Sequence, residues 1–188
     1  LITMDDFVRE NDPALRKVAR EISVPFAKEH RELLQEMRTF LLNSQDTTLC
    51  KRYELRRGVG LAAPQLGKSV QLLTIYTSDE EGNQVDLQLA NPKIVKQSEE
   101  LIYLASGEGC LSVNRPVYGL VPRSATIEVE ASIQSGKAFR GTFEGFTSIV
   151  LQHEIDHLQG ILFYDRINKE NPFHLLGNPC AKPVRDLQ

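Results

Sequence analysis

Apolar and polar positions change period several times along this chain. Leu33, Met37, Phe40 and Leu41 recur at helical spacing within residues 27–45, which predicts an amphipathic helix with one buried stripe. Upstream, Asp12-Pro13 reads as a helix start, because proline suits the first helical position. Residues 43–57 are polar and read as half helical. After a glycine-rich stretch, Leu72, Thr74 and Tyr76 alternate with Leu73 and Ile75, so residues 70–77 predict a strand. Glu81-Gly82-Asn83 then turns the chain into a second strand over residues 85–90. Residues 93–97 and 100–105 read as a further pair. Residues 126–133 and 138–143 flank Ser135-Gly136-Lys137 as a hairpin, and residues 161–166 read as a short strand. Between them lies GFTSIVLQHEIDHLQG, residues 145–160. Phe146, Ile149, Val150, Leu151, Ile155 and Leu158 place apolar groups nearly all round a helix, which marks it as buried. Thr147 or Ser148 is placed to cap its start and Gly160 to end it. The elements together predict an α+β fold, mostly antiparallel sheets around one central buried helix, in a single domain over residues 1–188.

That helix carries the chemistry. His153 and His157 are four apart and stack on one helical face, with Glu154 one position round. Two imidazole ligands with a carboxylate beside them suit a metal ion and a general base for water. Polar groups inside a buried helix are costly unless paired or coordinated. Asp156 points away from His153 and His157, which gives it a structural hydrogen bond or ion pair.

A catalytic site of this kind needs a third protein ligand and an open position. His30 lies in the charged run KEHRELLQEMR, His174 in a Pro- and Asn-rich tail, Cys50 in a polar stretch and Cys180 near the terminus. Cys110 differs, because Gly107-Glu108-Gly109 precedes it and lets the backbone approach closely. It reads either as the thiolate ligand or as a small buried hydrophobe. A further segment, Gly58-Val59-Gly60-Leu61-Ala62-Ala63-Pro64-Gln65, lacks the Lys-Ser/Thr of a phosphate loop. It reads as a turn, or as a tight loop against a substrate with the Gln65 amide as a fixed donor.

Three motifs in one order, GVGLAAPQ at 58–65, EGCLS at 108–112 and HEIDH at 153–157, resemble those of the peptide deformylases. The likeness runs from Met4 to about residue 165. The polar insertion at 43–57, and a tail without an amphipathic terminal helix, resemble the longer type II bacterial branch. The resemblance implies Cys110, His153 and His157 as ligands of one Fe2+ ion, with Zn2+, Ni2+ or Co2+ able to substitute. It implies Glu154 as the base, with Gln65 and the Leu111 N–H holding the oxyanion. The reaction it implies removes the formyl group from the N-terminal methionine of nascent polypeptides. The peptide would dock along Val59 and Gly60, with Val59, Ser106, Phe146, Ile149 and Val150 as candidate pocket walls. Arg123 either supports the site or forms a surface ion pair. The rivals are a metallopeptidase using the same HExxH pattern, with His174 or Glu170 downstream, and a metal- or peptide-binding module without catalysis.

Composition narrows the picture. The 188 residues carry 22 basic and 25 acidic groups, a net charge of −3, and no basic run points to nucleic acid. No stretch is apolar enough to span a membrane, and the opening LITMDDFVREND is too charged for a signal peptide. Three widely spaced cysteines do not form a disulfide framework. A thiolate ligand suits a reducing cytoplasm, and action on nascent chains implies proximity to the ribosome.

Overall fold

The computed structural model describes residues 1–175 and 180–186. Helix α1 spans Lys28–Gln45 and buries Leu34, Met37, Phe40 and Leu41, the predicted stripe with Leu34 in place of Leu33, which is half-buried. A short helix α2, Thr47–Arg52, follows at once, started by Asp46, whose carboxylate accepts from the Thr48 and Leu49 N–H groups. At Asp12-Pro13 the chain makes a 3-10 turn, Pro13–Arg16, with Asp12 accepting from the Ala14 N–H.

Five strands form one antiparallel sheet, β1 Gly60–Ala62, β2 Leu72–Ser78, β3 Gln84–Gln97, β6 Thr126–Ser132 and β7 Ala138–Glu144, in that spatial order. The period-two alternation in β2 works on both faces. Leu72 and Tyr76 meet the cluster containing α1, and Leu73 and Ile75 meet the opposite cluster. A second sheet has the order β5-β4-β8, with β4 Leu101–Leu104, β5 Arg123–Ser124 and β8 Lys182–Val184. Here β5 pairs antiparallel with β4, and β8 parallel.

Helix α3, Gly145–Leu158, packs against strands of both sheets. The layers therefore run α1, five-stranded sheet, α3, three-stranded sheet. Burial on every side explains why α3 reads apolar all round. Each fully buried Leu, Ile or Phe on it contributes roughly 1.5–3 kcal/mol. No helix among the described residues is long and apolar enough to cross a membrane.

Four sequence expectations are corrected. Residues 85–90 and 93–97 form one strand, bent at Asn91, which takes φ +51° while its side chain holds both Ile22 backbone groups at 2.9 Å. Residues 93–97 therefore pair with β6, not with 100–105. The latter segment leaves for the second sheet, where Ile102 and Leu104 join the cluster around α3. Residues 161–166 make a 3-10 turn, Phe163–Arg166, because the Asp165 carboxylate accepts from the Leu162 N–H at 3.0 Å. Thr147 and Ser148 lie inside α3 and are buried. The start of α3 is satisfied from outside, by the Glu80 carboxylate accepting from the Phe146 N–H at 2.6 Å. Gly160, at φ +74°, ends the helix as expected, its N–H donating to the His157 carbonyl. Glu80→Ala is expected to destabilise the fold by about 1 kcal/mol, read as a lower urea midpoint at unchanged slope.

Candidate metal centre

Three segments converge at one end of α3. His153 and His157 come from the helix, one turn apart, with ring centroids 5.0 Å apart. Cys110 comes from the loop between β4 and β5. One ligand atom from each of Cys110, His153 and His157 lies within 4.8 Å of the others. The Cys110 Sγ to His157 Nε2 distance is 3.4 Å. A tetrahedral ion with bonds of about 2.3 Å to sulfur and about 2.05 Å to nitrogen would separate those atoms by roughly 3.6 Å. The donor set thus fits a divalent metal, and the residues that resembled a ligand set at the sequence level are brought together. His30, His174, Cys50, Cys180 and Glu170 stand outside this cluster.

Each ligand is held from behind. His153 Nδ1 bonds the Glu108 carboxylate at 2.9 Å, which leaves Nε2 for a ligand. The Phe163 ring stacks on His153, 16° from parallel with centroids 6.0 Å apart. Glu108 is itself gripped by Arg123, with Nε and Nη2 donating at 2.9 and 2.8 Å. Arg123 Nη1 donates to Asp156 at 2.6 Å, and Asp156 also takes two bonds from Arg166. Asp156 has the structural role expected of it. Arg123 is only 2% exposed, so the surface reading of it is set aside. The loop around Cys110 is clamped from the other side by Arg56, whose guanidinium donates to the carbonyls of Cys110, Leu111 and Val113 and to Asn114 Oδ1.

The electrostatics follow from this arrangement. Burial alone would raise the Glu108 carboxyl, but the Arg123 charge and the His153 hydrogen bond outweigh it and hold it at about 2. Burial disfavours the His153 cation, yet the Cys110 sulfur and Glu108 raise its pKa well above the usual value. Burial and the neighbouring His153 charge lower His157. An ion held here would require His153 to give up the Nε2 proton. Glu154 is buried and pushed up to about 7, chiefly by desolvation. Among the described residues its Oε2 has no hydrogen-bond partner, nor does His157 Nδ1.

The glycine loop completes the site. β1 is the edge strand of its sheet, and Gly60 lies directly against Glu154. A Cβ at Gly60 would sit 2.7 Å from Glu154 Oε1, so only glycine fits. Gly58 is fixed by Ser44 and Gln45 at the end of α1, with the Gln45 amide donating to the Gly58 and Tyr76 carbonyls at 2.8 Å each. Gln65 Oε1 accepts from the Ala62 N–H at 2.9 Å, which turns its Nε2 toward Cys110 Sγ, 3.5 Å away. A cavity of about 240 Å³ opens here, and Val59, Gly60, Phe146, Ile149, Val150 and Leu111 are among its walls. Ser106 is exposed and absent from the lining, which corrects that expectation. Sequence reading missed Glu108, Arg56 and Phe163. Only Glu108 carried a signal, as an acidic residue fixed between two glycines two places before Cys110.

The family model described as polypeptide deformylase matches residues 4–173. A peptide deformylase of Oceanobacillus iheyensis is 48% identical over 185 residues, covering 98% of this chain and all of that protein. One from Listeria monocytogenes is 49% identical over 175 residues, covering 93% and 96% of the two chains. The crystal structure of the peptide deformylase from Thermus thermophilus superposes with a TM-score of 0.71 at 32% identity, covering 88% of this chain and 86% of that one.

Arg123→Met leaves Glu108 and Asp156 buried without their shared cation. It is expected to cost about 3–5 kcal/mol of stability, measured by denaturant unfolding, with less metal retained per chain.

Proposed function

The chain belongs to the polypeptide deformylase family, and from that membership we propose that it removes the N-formyl group from the N-terminal methionine of newly made polypeptides and releases formate. The observation that carries this reading is the meeting of Cys110, His153 and His157 beside a buried, unpartnered Glu154 carboxylate oxygen. In this reading the three residues hold one divalent ion, Fe2+ in the working enzyme, with Zn2+, Ni2+ or Co2+ as substitutes. When bound, such an ion makes water more acidic and polarises a carbonyl.

The chain's own residues do the rest. Glu154 Oε2 takes the proton of the attacking water and later delivers it to the departing amine. In the metal-free site, burial pushes this carboxyl up to about 7. As the formyl carbonyl gains charge, Gln65 Nε2 and the Leu111 backbone N–H donate to its oxygen. Gln65 serves as a fixed donor because its own oxygen is already tied to Ala62. The peptide adds as an extended strand to the free edge of β1, at Val59 and Gly60. Its methionine side chain enters the apolar pocket walled by Val59, Phe146, Ile149 and Val150. The formyl group carries only hydrogen beyond its carbonyl, so a closed end at the ligand cluster excludes longer acyl groups.

The whole chain, residues 1–188, is read as one catalytic domain working on nascent chains near the ribosome in the cytoplasm. Helix α2, within the polar insertion at 43–57, supports the type II branch.

Glu154→Gln is expected to keep its metal, by elemental analysis, while formate release from formyl-Met-Ala-Ser falls by about 10²–10⁴-fold. Unchanged turnover would remove Glu154 from the chemistry. The acetylated peptide is expected to react far more slowly than the formylated one, and comparable rates would refute the closed-end account. Protein purified without oxygen and loaded with iron should outpace the zinc form, and equal rates would end the iron assignment.

A further inference from the structure

Two consecutive arginines stand at the mouth of the cleft, and they are used differently. The Arg56 guanidinium is committed to the carbonyls of Cys110, Leu111 and Val113. Arg57 lines the same cleft, is exposed, and donates a long 3.5 Å hydrogen bond to the Gln45 carbonyl. The tail contributes Asp186 to the lining. The lining thus holds two guanidinium groups and three carboxylates, of which Glu108 and Glu154 are buried at the inner end.

Position along the cleft gives this charge a specific target. Gly60 abuts Glu154, so the reacting end of a bound peptide lies beside Gly60. Residues 57–59 lead irregularly into β1 at Gly60, so a peptide laid antiparallel along Gly60, Val59, Gly58 and Arg57 would run outward from that end. Side chains two apart on a strand share a face. Val59 and Arg57 are two apart and both line the cleft. The first substrate side chain lies against Val59 in the apolar pocket, so the third lies on the same face, level with Arg57. We infer that Arg57 reads the third residue of the substrate and that the enzyme favours an acidic side chain there over a basic one. This inference rests on the deformylase reading and names a substrate class within it.

The test uses metal-loaded enzyme and three C-terminally amidated peptides, formyl-Met-Ala-Glu, formyl-Met-Ala-Lys and the neutral formyl-Met-Ala-Ser. The expected kcat/KM for the Glu peptide exceeds that for the Lys peptide by about threefold or more, mainly through KM. The ratio should shrink as salt is raised, because the pair faces solvent. Arg57→Gln should bring it close to one, and Arg57→Glu should reverse it. A ratio of one in the wild type, or a preference that survives Arg57→Glu, overturns the inference. The neutral peptide separates the two claims. Brisk turnover of it with a flat Glu-to-Lys ratio sinks the role of Arg57 alone, whereas no turnover with any metal sinks the deformylase reading and the inference with it.

Discussion

The Arg123 guanidinium is the joint on which the site depends. It is held in a nearly water-free interior, bonded to Glu108 on the loop before Cys110 and to Asp156 on α3. These two elements supply all the ligand atoms. A cation desolvated this deeply is tolerable only if its hydrogen bonds are satisfied, and both of its partners are carboxylates that need a cation equally. The two elements cannot drift apart without leaving buried charge uncompensated. What looks like a stability feature therefore sets the separation of sulfur and imidazole.

Around that joint, the fold answers a conflict built into α3. The helix must be apolar enough to lie between two sheets, yet it must carry two imidazoles and two carboxylates. Each polar group has a separate resolution. His153 leans on Glu108 and Phe163, Asp156 is neutralised by Arg123 and Arg166, and Gln152 is tied to Ser124 and Ser148. Among the described residues of α3, Glu154 Oε2, Thr147 Oγ1 and the inner nitrogen of His157 are left without a partner. Of these, Glu154 is the group proposed to exchange a proton.

Much of this was legible in the sequence because it is local. Helix α1 and the β6–β7 hairpin follow from period and turn chemistry over a few residues, and the histidine spacing follows from one helical turn. The misreadings share a different cause. A strand at residues 161–166 was inferred from apolar pattern, whereas a carboxylate three residues away from Leu162 folds the segment into a turn. The separation of 93–97 from 85–90 missed that Asn91 tolerates positive φ when its side chain grips Ile22, sixty-nine residues away. The cap of α3 came from Glu80, on the turn between β2 and β3. Arg56 and Phe163 act through tertiary contacts that no short window of sequence records, and Glu108 shows only its place between two glycines.

The contact of Gly60 with Glu154 has a consequence for how the protein can change. The strand edge proposed to receive a peptide and the Glu154 carboxylate proposed to handle the proton are in contact, with no room for even a methyl group between them unless Glu154 moves. Recognition and reactivity are thus welded at one residue. A ligand that mimicked a bound strand there would be hard to evade by mutation at Gly60, since any side chain that repelled it would also displace Glu154.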